Sequence, residues 1–349
     1  MEDSVTYCNM VKQGLHKGAC EVILKDTSIL PACQATLKFE NGQYYRLIKS
    51  MHLSRPEDYF SIYQSGCNHN CLKCHSWEFS KYFNGIWYST DQIARESKKY
   101  EENVTLIEPR ERALMYYATD VCKHCGACII YNKRSPLCPK KLSKDQITLS
   151  PQGFGPARNI IAFTGGDIAC QAYFYAEVTQ KIKDKCDNIW VLLETNGYGM
   201  TPKNLDLFRK AGLDSCWLDI KAYDQEIYKK LCGTSNKTVL KSPKEIIKRA
   251  FILEILTVYI PNLVEIDQFE KIAQLIASLD ENLPFHILAF FPQYKLKDFR
   301  SPNLTEILDT YKAVKNIGLK KVRIGNIGVF AKTEEELKKL IRTVGPESI

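Results

Sequence analysis

Three cysteines fall at x3 and then x2 spacing in Gln64-Ser65-Gly66-Cys67-Asn68-His69-Asn70-Cys71-Leu72-Lys73-Cys74-His75, directly after an apolar, β-rich run. Three thiolates can hold three irons of a 4Fe-4S cube, for which Cys is the usual ligand, and the fourth iron is then open to a small ligand. The alternative is a zinc knuckle, or buried cysteines with His75 as a fourth ligand. Taken alone, His69 and His75 read as loop residues. A second set, Cys122-Lys123-His124-Cys125-Gly126-Ala127-Cys128, is followed by Cys138-Pro139. Its x2-x2 spacing suits the corners of one cube, whereas zinc sites usually pair two separated C-x2-C knuckles. Zinc or a lone iron would still accept four thiolates. A single auxiliary 4Fe-4S cluster on Cys122, Cys125, Cys128 and Cys138 is expected, with Cys138 its most distant ligand. The other seven cysteines, at 8, 20, 33, 170, 186, 216 and 232, read as small packing hydrophobes. The wide spacings among Cys8, Cys20 and Cys33 give little support to a third site.

Three more motifs follow apolar runs. Gly165-Gly166-Asp167 is either a close approach of backbone to a ligand or a tight turn with Asp167 as helix cap. Glu194-Thr195-Asn196-Gly197 closes the next run, and Asp219-Ile220-Lys221 the one after. Strand alternation puts Asp219 and Lys221 on one face, where they pair with each other or serve a ligand. His286 opens a later run and reads equally as a satisfied core histidine.

Positioning these groups needs strands that end together. Short β-rich runs recur at 61–64, 159–164, 190–194, 216–220, 253–260, 286–291 and 321–324, and amphipathic stretches at 171–182, 204–211, 243–250, 266–279 and 304–316 lie between them. Alternating strand and helix predicts βα units around a parallel sheet whose reactive groups gather at the C-terminal strand ends. Residues 1–56 read as a small N-terminal appendage, 57–335 as the core and 336–349 as a C-terminal tail. The interval 78–158 is too long for one βα connection and reads as an inserted segment carrying the second cysteine set.

As an ordered set, these motifs resemble those of the radical S-adenosylmethionine (SAM) superfamily, and more narrowly pyruvate formate-lyase activating enzyme and other glycyl-radical activases. The likeness covers roughly residues 60–300. It implies a partial (βα)6-type TIM barrel with an inserted ferredoxin-like iron–sulfur subdomain. It also implies SAM at the open iron of the Cys67, Cys71 and Cys74 cluster, where reductive cleavage releases a 5′-deoxyadenosyl radical. By the same resemblance, Gly165, Gly166 and Asp167 bind the methionine end of SAM. Glu194 and Thr195 with Asp219 hold a monovalent cation, Lys221 reaches the SAM carboxylate or ribose, and His286 lies near the ribose. Two departures stand out. Lys73 occupies a position where many members have an aromatic residue, and Asp167 replaces a glutamate.

The expected activity is hydrogen abstraction from a protein glycyl or other peptide position, with reduced ferredoxin or flavodoxin as electron donor. A radical enzyme with a small-molecule substrate and a non-catalytic iron–sulfur electron carrier are the alternatives. The carrier would need no SAM pocket. Composition bounds the rest. A 349-residue chain with 45% apolar residues can bury a full core, and its formal charge of +8 falls by roughly 3 once seven thiols ligate iron as thiolates, which leaves a mild basic excess. No basic block interleaved with aromatics points to nucleic acid, and no apolar run of membrane length is present. The chain is therefore expected in the cytoplasm, where clustered cysteines indicate metal rather than disulfides.

Overall fold

The computed structural model describes residues 8–349. Seven parallel strands form its centre: β1 (Phe60–Gln64), β2 (Ile160–Gly165), β3 (Trp190–Thr195), β4 (Ser215–Asp219), β5 (Ile252–Tyr259), β6 (Phe285–Ala289) and β7 (Val322–Gly325). Each pairs with the next in chain order, so the sheet runs β1 to β7 without a crossover. Helices cover its outer face: α1 (Thr90–Glu101), α2 (Ala172–Lys185), α3 (Pro202–Ala211), α4 (Gln225–Cys232), α5 (Lys237–Lys248), α6 (Ile266–Ala277), α7 (Leu304–Asn316) and α8 (Glu334–Val344). The result is an open α/β barrel of the partial TIM type, and each β-rich run of the sequence overlaps one of its strands to within two residues.

Strand alternation sorts side chains into two compartments. On β2, Ile161 and Phe163 face outward, and Phe163 meets the rings of Phe174 and Tyr175 on α2 edge-on. Ile160 and Ala162 face inward, where they cluster with Tyr59, Leu192 and Ala113. The inward faces of β3 and β4 therefore carry Trp190, Leu192, Glu194 and Trp217, and the outward faces carry Val191, Leu193, Cys216 and Leu218.

Two segments differ from the sequence reading. The supposed N-terminal appendage is partly built into the barrel sheet. Its strand Gln43–Leu53 pairs antiparallel with β1, and Leu37–Glu40 extends that edge. Hydrogen bonding to an exposed sheet edge decides this, and no periodicity within 1–56 reports it. The supposed tail from 336 belongs to α8, which Thr333 opens with a capping box and which buries Leu340 and Val344.

Within 78–158, the strand Ile86–Ser89 joins the sheet edge through Gln43–Leu53, and α1 packs on the barrel. The remainder is short turns, a helix over Ala127–Ile130 and a hairpin of Thr148–Ser150 with Gly153–Gly155. Buried charges tie this segment on. Arg158 is wholly enclosed, with Nε 2.5 Å from the Glu108 carboxylate and Nη1 donating to Leu114 O at 2.8 Å. Asp58, just before β1, accepts from Arg55 at 2.7 Å and lies 2.8 Å from His124 Nε2.

Candidate functional site

The first cysteine loop leaves β1 through Gly66, whose φ is +75° and whose missing Cβ would lie 2.7 Å from Thr36 Oγ1. Glycine alone fits that left-handed, crowded position. Arg46, wholly buried beneath the loop, donates to Thr36 O at 2.9 Å and Gly66 O at 3.3 Å. Backbone bonds fix the rest: Asn68 N to Asp167 O at 2.7 Å, Asn70 N to Cys232 O at 2.9 Å and Leu72 N to Leu231 O at 2.8 Å. The last two are carbonyls at the end of α4, a helix the sequence reading passed over. His69 is buried between Asn68 Oδ1, Tyr228 OH and Thr234 Oγ1, and burial, then Lys221 and Lys81, holds its pKa well below the ordinary value. A neutral histidine with both nitrogens engaged orders the loop.

Polar groups surround the three sulfurs. Asn196 Nδ2 lies 3.7 Å from Cys67 Sγ and donates to Asn68 Oδ1 at 2.6 Å, and Ser80 Oγ is 3.2 Å from Cys74 Sγ. Burial pushes the Cys67 thiol up to about 12, against the opposing pull of Lys81. A hydrogen bond with Cys232 brings Cys71 down, against the opposing effect of burial. Asn196, Ser80 and Cys232 were not singled out from the sequence. Asn196 alone had a signal, its place in the Glu194–Gly197 motif. Lys73 stacks its ammonium 3.7 Å over the Phe291 ring and donates to Gln293 Oε1 at 3.1 Å. An aromatic ring thus stands beside the third cysteine, supplied from beyond β6 rather than by residue 73.

The glycine pair holds two loops together. A Cβ on Gly166 would sit 2.2 Å from Gly66 O, and one on Gly165, at φ +84°, 2.7 Å from Phe79. Asp167 is 5% exposed and accepts three bonds: Ala169 N at 2.7 Å, Thr195 Oγ1 at 2.7 Å and Asn196 N at 2.9 Å. A carboxylate offers about four lone-pair positions, so about one remains. Burial raises its pKa despite these donors.

The expected cation ligands are divided. Glu194 points into the barrel, accepting from Tyr59 OH at 2.9 Å and from Thr164 Oγ1, while Thr195 points outward to Asp167. Adjacent strand residues face opposite ways, so Glu194 and Thr195 do not share one ion here. Asp219 and Lys221 do share a face and are joined by an ion pair, with each side chain about a fifth exposed. Burial pulls Lys221 down, but Asp219 and Cys71 outweigh it and hold the ammonium charged. The second Asp219 oxygen, Oδ1, is buried without a partner. A free acceptor beside a held ammonium, near three thiols with donors around them, suits a ligand carrying both charges. These residues fit a 4Fe-4S cluster with SAM.

His286 lies elsewhere, near the start of β6, its ring edge-on to Tyr116 at 5.4 Å and its Nε2 3.3 Å from Glu254 Oε2. That approach is not a well-formed hydrogen bond, because the Glu254 oxygens are directed at Met115 N and Tyr116 N, at 2.8 and 2.7 Å. Phe291, five residues further on, is what reaches the cysteine loop, so at about 3.3 Å per strand residue His286 lies up to about 16 Å back. A parallel strand presents its C-terminal end to the site, and His286 lies towards the other end, packed against Tyr116 and Glu254.

Cys122, Cys125, Cys128 and Cys138 line one cavity with Arg134 and Phe154. Left-handed residues His124 (φ 56°) and Gly126 (φ 66°) wrap the chain so tightly. Arg134 Nη1 is 3.4 Å from Cys138 Sγ, and its hydrogen bond and charge lower that thiol's pKa although burial opposes them. His124 N donates to Cys122 Sγ at 3.3 Å, while burial lifts that thiol to about 11. Among the described residues, no three His, Cys, Asp or Glu side chains close around a single ion. A cube holds its thiolates on separate irons, farther apart than the single-ion bonds of about 2.3 Å draw them.

An open parallel barrel with a three-cysteine loop at its C-terminal rim defines a class of radical enzyme. The family model of the radical SAM superfamily matches residues 119–276, which include the second cysteine set and the Asp167, Glu194 and Asp219 motifs but not Cys67–Cys74. A Methanocaldococcus jannaschii protein, provisionally named a glycyl-radical enzyme activating enzyme, is 30% identical over 234 residues, 65% of this chain and 84% of that protein. Similar solved structures include a domain of pyruvate-formate lyase-activating enzyme from Bacteroides vulgatus, 16% identical, covering 47% of this chain and 98% of that one, TM-score 0.41. TYW1 with a lysine-pyruvate adduct is another, 13% identical, covering 80% and 85%, TM-score 0.44. The chain belongs to the radical SAM superfamily. It is an enzyme of that kind, and the family implies a 4Fe-4S cluster and SAM. No helix among the described residues is long and apolar enough to cross a membrane.

Proposed function

We propose that the chain cleaves SAM at a cluster on Cys67, Cys71 and Cys74 and abstracts hydrogen from a protein glycyl or other peptide position. The cytoplasm is its proposed location and reduced ferredoxin or flavodoxin its electron donor. The observation that carries this reading is the meeting of the cysteine loop, the Asp167 loop and the Asp219–Lys221 pair at the C-terminal strand ends. When bound, cluster and cofactor supply an electron to the sulfonium and a 5′-deoxyadenosyl radical. The chain's own residues do the positioning. Lys221 faces the cofactor carboxylate, Asp219 Oδ1 accepts from its ammonium or ribose, and Asn196 and Ser80 orient the sulfurs. Asp167 keeps the Gly165-Gly166 loop against the cysteine loop. The likeness to the M. jannaschii protein supports a protein substrate.

The auxiliary cluster on Cys122, Cys125, Cys128 and Cys138 is part of the proposal, supported by their common cavity and the Arg134 contact. A monovalent cation is proposed only at Glu194 and Asp219, which share the inward face. The test is anaerobic incubation of reconstituted protein with SAM and dithionite. The intact chain forms 5′-deoxyadenosine, and Cys67→Ala/Cys71→Ala/Cys74→Ala forms none. Product from that variant would sink the assignment.

A further inference from the structure

A third group of thiols converges outside any spaced motif. Cys33 lies in the short helix Ala32–Thr36, Cys170 follows the Gly165-Gly166-Asp167 loop, and Cys8 and Cys20 come from the segment that crosses it. Asn9 Nδ2 donates to Gln171 Oε1 at 2.6 Å, setting Cys8 beside Cys170. Ala32 N donates to Cys20 O at 2.7 Å, setting Cys20 beside Cys33. Tyr198 OH, donating to His16 O at 2.8 Å, and Thr201 Oγ1, donating to Gln13 Oε1 at 2.7 Å, strap the intervening segment down. Gly199 lets the β3 loop close on Cys170, since a Cβ there would lie 2.3 Å from Cys170 N.

The four sulfurs are near enough to act on one another. Cys33, Cys20 and Cys8 all lie within electrostatic reach of Cys170. Cys20 and Cys8 lie within the same reach of Cys33. By contrast, no other thiol lies within such reach of Cys216. All four are free thiols. A second observation points to a ligand among them. Gln171 is 4% exposed, and its Nε2 is buried without a well-formed hydrogen bond. That amide lies beside Cys33. A buried donor aimed at sulfur is unsatisfied beside a thiol and satisfied beside a metal-bound thiolate.

We propose that Cys8, Cys20, Cys33 and Cys170 are the ligands of a further 4Fe-4S cluster, held against the Gly165-Gly166-Asp167 loop. Four cysteines are the usual ligand set of such a cluster. The segment before β1 then has a purpose that its packing alone does not supply. It brings three of the four ligands to the fourth.

Iron and sulfide counting on anaerobically prepared full chain tests this, independently of SAM cleavage. Cys33→Ala/Cys170→Ala should lose about four irons and four sulfides, one cube, and keep the SAM-induced change in the first cluster's EPR signal. Cys216→Ala should lose none. A chain with Cys67, Cys71, Cys74, Cys122, Cys125 and Cys128 all replaced by alanine should retain about four irons. Adding Cys33→Ala/Cys170→Ala to it should remove them. Unchanged iron in the double variant, or one zinc per chain displaced by it in place of iron, would overturn the proposal. Failure of the auxiliary cluster at Cys122 would instead show as no loss in Cys122→Ala/Cys125→Ala/Cys128→Ala.

Discussion

Asp167 shows how one side chain can be spent on architecture. Its three protein donors join the loop after β2 to Thr195 and Asn196 at the end of β3, and Asn196 in turn approaches Cys67 Sγ. In Asp167→Asn, one amide N–H faces the Asn196 N–H, so a buried donor loses its acceptor at a cost of about 1–3 kcal/mol. Thermal or denaturant unfolding should register that loss. SAM affinity, followed anaerobically by the cluster's EPR signal, should change less than about tenfold, or 1.4 kcal/mol. A larger loss of affinity at unchanged stability would show that Asp167 binds the cofactor ammonium directly.

Among elements, the contact between the loops after β1 and β2 has the least room. Gly166→Ala would place a methyl 2.2 Å from Gly66 O, a backbone atom that cannot swing aside. Overpacking of this kind costs about 1–3 kcal/mol. The variant should melt earlier and reconstitute less iron at the first site. Gly328→Ala is the control, since nothing lies within 4 Å of its added Cβ. Equal iron content and melting temperature in the two variants would refute the loop-to-loop role. α4 completes the support from the other side, because its last carbonyls hold Asn70 and Leu72.

For the whole molecule, the inserted segment separates two tasks. Its residues Ala113 and Met115 pack into the barrel interior, and Met115 N and Tyr116 N satisfy Glu254. The cysteine set at 122–138 sits apart, tied through His124 to Asp58. Removing Cys122, Cys125 and Cys128 together by alanine should therefore lose about four irons while 5′-deoxyadenosine is still formed. Complete loss of SAM cleavage in that variant, with the iron of the first site intact, would mean the second site is required for the first.

Spacing along the chain determined what local geometry alone can encode. The x3-x2 loop, the x2-x2 set and the alternation of strand with helix are each read within a few residues, and the barrel follows from them. Alternation on β4 likewise put Asp219 and Lys221 on one face before any coordinates. What the chain order could not carry was which face a strand residue takes and which end of the barrel it reaches. Glu194 and Thr195 are neighbours in sequence and face opposite compartments. His286 opens its strand and so falls short of the rim that Phe291 reaches. Cys8, Cys20, Cys33 and Cys170 are too widely spaced to form a motif, and only the closing of a sheet edge and three loops brings them together. Long-range pairing decides such contacts, because the free energy that fixes them comes from burial and hydrogen bonds between segments that share no local pattern.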